Sequence, residues 1–369
     1  MPQPGEPQTP VEPLGPGYPP RMRVVVTGAS GNVGTSVVEA LSADPAVSSI
    51  VGIVRRQPGW TASKTEWALA DVAKDDLGYL VRGADVVIHL AWLFQPTHDP
   101  VSTWTANVLG SIKMFEAVGR ERVPALVYAS SVGAYSPGPQ DTRVDESWPT
   151  HGWPEAAYPR EKAYLERYLD GFEPRHPDTR VVRMRPGFIF KRESASQQRR
   201  LFAGPLVPNF LGRAGLLPVI PDVPGLRMQA LHSADVGQAY RLAAVKDVRG
   251  AFNVAAEPVL DADVLAELLG ARKVKLAGWA LRGPLAAAWR LHAVPASPGL
   301  FETVLRLPVM DTGRARAELG WSPGYSATDA IGEFLGGLRE GAGLDTPPLA
   351  PDGPRGRLHE LRTGVGSRP

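Results

Sequence analysis

Short apolar runs alternate along the chain with longer segments in which apolar residues recur every three or four positions. Val24–Thr27, Ile50–Val54, Val86–Leu90, Leu126–Ala129 and Val181–Met184 are such runs. Near-continuous apolarity, rather than in-and-out alternation, is the pattern of strands buried on both faces. Most intervals between the runs are long enough for a helix, and Val108, Ile112, Phe115 and Val118 predict one over 107–118. Strands alternating with helices imply right-handed crossovers and a parallel sheet covered on both sides. The expected fold is therefore α/β, a doubly wound parallel sheet whose ligand lies beyond the carboxyl ends of the strands.

After residue 185 the pattern shifts to prolines, glycines and basic residues, which predicts loops and short helices. Gly250–Ala255 reads as a strand rejoining the sheet. Helical patterns at 263–269 and 314–319 predict a small, mostly helical C-terminal lobe. The expected organisation is 21–185 plus about 227–256 as the sheet domain, with 186–226 and 257–340 as the lobe. Residues 1–20, rich in proline, read as a disordered leader and 341–369 as a flexible tail. The basic, Trp-containing stretch 275–292 is amphipathic; it reads as a core-facing helix, although a helix lying on a membrane surface needs the same pattern.

With 369 residues, 43% hydrophobic and 21% charged, the chain can bury a large core. Lys and Arg total 40 against 38 Asp and Glu, a formal charge of +2, which gives no footing for a nucleic-acid partner. The absence of cysteine removes disulfides, thiolate zinc sites and Cys nucleophiles. The seven histidines show no ligand spacing, so no metal is assigned. No apolar stretch approaches the roughly 18–20 residues of a membrane span, and the first 20 residues lack the apolar core of a secretion signal. The expected location is cytoplasmic.

Two motifs carry chemistry. In VVVTGASGNVG (residues 24–34), Gly28, Gly31 and Gly34 follow the first strand and open a helix whose apolar stripe is Val33, Val37, Val38 and Leu41. Bare N–H groups at a helix N-terminus bind an anionic pyrophosphate, though an ordinary tight turn uses the same glycines. In YPREK, Tyr158 and Lys162 stand four apart and share a helix face. A phenol of pKa about 10 is drawn toward its phenolate by a nearby ammonium and a cationic nicotinamide, which suits proton exchange with an alcohol or ketone. A surface pair at chance spacing is the plainer alternative.

Together with YASSVGAY between them, these motifs resemble the extended branch of the short-chain dehydrogenase/reductase superfamily, the NAD(P)-dependent epimerase/dehydratase type. Asp71-Val72, His89-Leu90-Ala91, Asn107 to Ser111, Asp145-Glu146, Arg185-Pro186-Gly187, LHSADV at 231–236 and RAELGW at 316–321 fit it at matching intervals, so the resemblance covers about 22–338. It implies a Rossmann domain and a Ser-Tyr-Lys site with Ser131, Tyr158 and Lys162 as catalytic residues. Ser131 lies four positions before Tyr135, the family's S-x-x-x-Y spacing, and Ser130 is the neighbouring possibility. Lys162 holds the nicotinamide ribose. The cofactor set is completed by Gly28, Ser30, Gly31, Asn32, Val33 and Gly34 in the loop, Asp71 and Val72 at adenine, Leu90 and Ala91 along its path, Asn107 and Pro186. Asn107 stabilises the helix beside the site or simply caps it. A homodimer through the tyrosine helix is a further implication, which the apolar Leu165 and Leu169 permit.

At the end of the second strand, Arg55 and Arg56 replace the acid that pairs with an unphosphorylated adenosine ribose. A guanidinium pairs with a 2′-phosphate, so NADP is favoured over NAD; one arginine stacked over adenine would suit either. Val132 and Gly133 stand where sugar 4,6-dehydratases place Asp-Glu, which argues against dehydration. Arg227, ahead of His232 and Asp235, keeps a nucleotide-sugar epimerase open. Trp92, Leu93, Phe94, Trp104, Phe188 and Phe190 near the expected pocket mouth suit a reductase of a lipid-like or aromatic ketone. Trp92, His98, Arg227 and Ser130 are the candidate substrate residues, with Asp99, Arg199 and Arg200 weaker ones. A non-catalytic NADP-binding redox sensor is the alternative outside enzymes.

Overall fold

The structure is a computed structural model that describes residues 22–205, 218–352 and Val365. The leader at 1–20 and the tail beyond 352, apart from Val365, lie outside the described residues.

Seven parallel strands form the central sheet: β1 (Met22–Thr27), β2 (Val47–Val54), β3 (Thr65–Leu69), β4 (Val86–His89), β5 (Ala125–Ala129), β6 (Arg180–Pro186) and β7 (Gly250–Val254). Their spatial order is β7-β6-β5-β4-β1-β2-β3. Side chains alternate across a strand, so Val24 and Val26 of β1 enter one apolar layer and Val25 the other. The first layer is closed by α1 (Asn32–Ala43), with Val37, Val38 and Leu41. The second is closed by α2 (Gly110–Arg120), with Met114, Phe115 and Val118, and by α3 (Ala157–Arg175), with Leu165, Leu169 and Phe172. Returning to the first layer, α4 (Ser233–Val245) adds Val236 and Tyr240. This is the doubly wound fold that the apolar runs predict.

The helix expected over 107–118 is present, but it is entered through a π-helical turn, Thr105–Leu109. Strand β3 was not foreseen. Leu165 and Leu169, offered by the sequence as dimer contacts, are fully buried in the monomer's own core. The segment 275–292 is corrected more sharply: α5 (Gly278–Arg290) buries none of its residues. It is not a core helix. The last helix is α6 (Ala327–Glu340), and residues 341–352 of the segment read as a flexible tail pack back on the body, with Thr346 and Leu349 buried.

His89 ends β4 inside the sheet. Its Nδ1 lies 2.8 Å from the Thr27 hydroxyl and its Nε2 2.8 Å from that of Ser111. Burial, helped by the positive charge of Lys162, lowers its pKa to about 3. The native ring is thus neutral where an unfolded one is charged, so stability is present above pH 6.5 and falls as the pH drops toward 3. Urea unfolding is expected to show this group costing about 2 kcal/mol between pH 7 and pH 5. A His89→Gln variant should lose correspondingly less over that interval; an unchanged slope would contradict the assignment.

Candidate active site

The glycine loop joins β1 to α1 at the carboxyl edge of the sheet. Gly28 has φ of +67°, and a Cβ there would lie 2.9 Å from the backbone of Ala91. A Cβ on Gly34 would come 2.2 Å from the Gly28 carbonyl. Both positions therefore require glycine, and the loop is drawn tightly over the helix start. Gly31 is the N-cap of α1 and supplies no side-chain cap, which leaves the first turn's N–H groups for a ligand. Asn32 Nδ2 donates to the Ile189 carbonyl at 3.2 Å, while its Oδ1 is buried without a partner. This bare helix start fits the pyrophosphate of a dinucleotide. Leu90 and Ala91 are fixed beside it by N–H bonds to the Thr27 hydroxyl at 3.1 and 3.2 Å.

The tyrosine helix α3 runs past the ends of β4 and β5. Lys162 donates to the Ala129 carbonyl at 2.5 Å, and its ammonium lies 3.4 Å from the centroid of the Trp92 ring, a cation–π contact. Burial holds its pKa well below the ordinary lysine value, against the opposing pull of Glu161 and Glu166. Tyr158 is enclosed by two aromatic rings: Trp92 edge-on at 5.6 Å and Phe94 stacked at 5.2 Å. Phe202 closes on Phe94 at 5.6 Å. Burial pushes the phenol up to about 12, and a hydrogen bond with Ser131 works the other way. At neutral pH this phenol carries its proton.

Ser131, Tyr158 and Lys162 thus come together below the glycine loop's edge of the sheet. Ser131 also accepts from the Gly133 N–H at 3.0 Å, which orients its hydroxyl. Ser130 is committed elsewhere, donating to Glu166 at 2.5 Å. Tyr135 is equally occupied, donating to Asn253 at 2.7 Å and accepting from Arg185 at 2.9 Å.

Three supporting groups escaped the sequence reading. Glu161, buried beside Lys162, accepts from Thr103 and from Asn107, each at 2.7 Å. Asn107 Oδ1 also accepts from the Leu93 N–H at 2.7 Å and its Nδ2 donates to the Leu93 carbonyl at 2.8 Å. Asn107 therefore ties the Trp92–Phe94 loop to α3, a different role from capping a helix. Behind the site, Glu166 is fully buried and accepts from Arg185 at 2.9 and 3.0 Å and from Arg183 at 3.1 Å, which lowers its pKa to about 2 despite burial. Finally, the C-terminal segment crosses the loop: Thr346 donates to the Ser30 carbonyl at 2.9 Å and the Trp60 N–H to the Asp345 carbonyl at 2.7 Å.

Other expected residues fall as follows. Arg55 and Arg56 are exposed at the end of β2. Asp71 accepts from the Ala73 N–H at 3.0 Å in a turn, Val72 packs against the second apolar layer, and Pro186 is buried at the end of β6. His98 is stacked on Trp289 at 4.0 Å and His292 at 4.1 Å, while Asp99 caps the helix Pro100–Trp104. Arg199 and Arg200 bind Asp352 of the C-terminal segment. Arg227 donates to the Gln140 carbonyl, and its Nε is buried without a partner. Of the aromatics expected at the mouth, Trp92 and Phe94 reach Tyr158. Trp104 pairs instead with Tyr164, Phe190 with Phe334, and Phe188 enters the core. Among the described residues no group of His, Asp and Glu could hold a metal ion.

Comparison with known proteins adds a family. An uncharacterized protein of Mycobacterium tuberculosis is 26% identical across 364 residues, covering 94% of this chain and 91% of the relative. A 4-hydroxy-2-methyl-3-oxo-4-farnesyl-3,4-dihydroquinoline-1-oxide ketoreductase of Stigmatella aurantiaca is 31% identical over 178 residues, covering 46% of this chain and 51% of the relative. In fold, the chain is similar to UDP-glucose 4-epimerase of Thermus thermophilus in complex with NAD, with a TM-score of 0.64, 21% identity, and coverage of 86% and 99%. The model of the NAD dependent epimerase/dehydratase family matches residues 24–255, from β1 past β7. That span holds both the glycine cradle and the Tyr158–Lys162 pair, and the chain belongs to this family of enzymes.

Proposed function

We propose that the protein is an NADP-dependent reductase of a lipophilic carbonyl compound, with Ser131, Tyr158 and Lys162 as its catalytic residues. The observation that carries this reading is the aromatic enclosure of a protonated phenol: Trp92 and Phe94 pack on Tyr158 and Phe202 packs on Phe94, so its surroundings are apolar, and burial keeps its proton in place. A donor is what carbonyl reduction needs. The cradle at Gly28–Gly34, with Leu90 and Ala91, would hold the dinucleotide, and its bound nicotinamide supplies a hydride. Tyr158 gives its proton to the carbonyl oxygen while Ser131 donates a hydrogen bond to the same atom, so the product is the alcohol. Lys162 places positive charge beside the phenol and favours the phenolate left behind. Residues 186–205, 218–226 and 257–340 supply the substrate lobe in this account, the rest of 186–226 lying outside the described residues, and the ketoreductase relative supports the substrate class.

The preference for NADP rests on Arg55 and Arg56. Replacing them together, Arg55→Asp with Arg56→Ala, is expected to lower the NADP-to-NAD affinity ratio by at least about tenfold, because a carboxylate repels the 2′-phosphate that a guanidinium binds. Fluorescence titration with both reduced cofactors checks this, and a ratio that does not move would contradict it.

A second reading, a nucleotide-sugar epimerase, is favoured by one observation: the Nε of Arg227 is a buried donor with no partner. Incubation with NADPH separates the two. Net cofactor consumption with aromatic or isoprenoid ketones and none with UDP-glucose supports reduction. Interconversion of UDP-sugars with no net consumption overturns it in favour of epimerisation. Tight cofactor binding with no turnover of either class points to a redox sensor.

A further inference from the structure

Helix α5 carries apolar residues on two opposite sides, with Arg282 and Arg290 as its charged residues, and lies on the outside of the molecule. Taking 100° per residue, Leu281, Leu285, Ala288 and Trp289 share the half-buried inner side. Trp279, Gly283, Pro284, Ala287, Arg290 and Leu291 share the outer side, and all six are exposed. Trp279 and Leu291 are each 79% exposed. A helix with two apolar sides is ordinarily covered on both, yet among the described residues nothing covers the outer side of this one.

Cations border it. The strand Arg272–Lys275, three residues before α5, exposes all four of its side chains, Val274 among them. Lys273 is neutralised by Asp263, and Arg282 by Glu302 and Glu155. Arg272, Lys275 and Arg290 make no ion pair among the described residues. Asp222, Asp261 and Asp263 act on Lys273 from the same region, so the three cations without an ion pair, in the same stretch of chain as the exposed Trp279 and Leu291, are what remains to meet an anion.

We propose that the outer face of α5, with the Arg272–Lys275 strand, docks on an anionic lipid surface. An indole and a leucine enter the headgroup boundary while the cations meet lipid phosphates, the division of labour of a helix lying in the interface. A second copy of the chain fits less well, because an isologous contact would set the same cations against each other. The face is also coupled to the reaction centre. Trp289 of α5 donates from its ring nitrogen to Thr97 at 2.9 Å, Gln95 and Thr97 both donate to the Pro295 carbonyl, and Phe94 of that same loop stacks on Tyr158. Docking by the outer side therefore leaves the loop over Tyr158 against the inner side of the same helix, one helix away from the lipid. The proposal goes beyond carbonyl reduction and does not depend on it, because binding to vesicles is read without turnover.

Co-sedimentation of the full chain with vesicles of phosphatidylcholine and phosphatidylglycerol tests it, against vesicles of phosphatidylcholine alone. At low salt the anionic vesicles are expected to retain at least about tenfold more protein, and added salt to weaken that retention. Trp279→Glu with Leu291→Glu should abolish binding while NADPH affinity and the unfolding midpoint stay at wild-type values. If that variant folds poorly, Lys275→Glu with Arg290→Glu, which leaves the apolar side intact, should also lose anionic-vesicle binding. Failure to sediment with anionic vesicles, equal binding to neutral ones, or retention by the folded variants would overturn the proposal. So would a wild-type dimer that either variant converts to a monomer without any vesicle binding, which would make the face a contact between copies.

Discussion

Tyr158→Phe is expected to lower turnover by at least about two orders of magnitude, the ordinary scale for a positioned acid–base group. The substitution removes one oxygen and leaves the ring, so the contacts with Trp92 and Phe94 persist. Lys162 keeps its bond to Ala129 and its place over Trp92, neither of which involves the phenol. NADPH affinity should accordingly change little. The loss should appear in kcat and not as a raised KM, because the missing proton is transferred only at the reacting oxygen. Steady-state rates beside cofactor titrations check both parts. A variant with wild-type turnover would remove Tyr158 from the chemistry, and one that no longer binds NADPH would recast it as a structural residue.

The largest stability effect is expected at Glu166. This carboxylate is fully buried between two arginines, with Arg185 bonded to it twice. In Glu166→Gln the guanidinium of Arg185 stays in the interior with only uncharged partners: the new amide oxygen, the Tyr135 hydroxyl and the Glu146 carbonyl. Leaving a buried charge uncompensated costs about 3–5 kcal/mol. Arg183 is buffered by Asp170 and Glu173, so Arg185 is the group that suffers. Replacing both partners, Glu166→Leu with Arg185→Met, should recover much of that loss, since no charge is then stranded. The acid limb follows from the same geometry. The folded pKa of about 2 lies below the ordinary 4.5, so the carboxylate stabilises the fold above pH 4.5 and loses that effect as the pH falls toward 2. Urea midpoints at neutral pH should separate the wild type from Glu166→Gln clearly and converge in strong acid. A variant as stable as wild type at pH 7 would contradict the account.

The central sheet was legible because its strands are buried on both faces and so read as plain apolar runs. Strand β3 was not, because TEWAL lies at the sheet edge with its side chains partly exposed. Tyr158 and Lys162 could be paired from their spacing on one helix. Glu166 could not, since Arg183 and Arg185 reach it only after β6 is laid beside α3. The Asn107–Glu161 link likewise joins two helices that are distant in sequence. The C-terminal segment reads as loose from its glycines and prolines. Its hold comes from individual contacts, such as Thr346 on the Ser30 carbonyl and Asp352 on Arg199, which no periodicity announces. Helix α5 misled for the opposite reason: its pattern suits a core, and only the fold shows that its inner side is no more than half-buried and its outer side exposed.

The central claim is that a hydride from the cofactor and the proton of Tyr158 meet on one carbonyl group. NADPH carrying deuterium at the transferring carbon, supplied with the ketone that turns over fastest, tests it most directly. Mass spectrometry of the product alcohol should find one deuterium on the carbinol carbon, in step with cofactor oxidation and abolished together with it in Tyr158→Phe. Alcohol formed without the label, or label that returns to the cofactor while a sugar nucleotide is inverted, would contradict it.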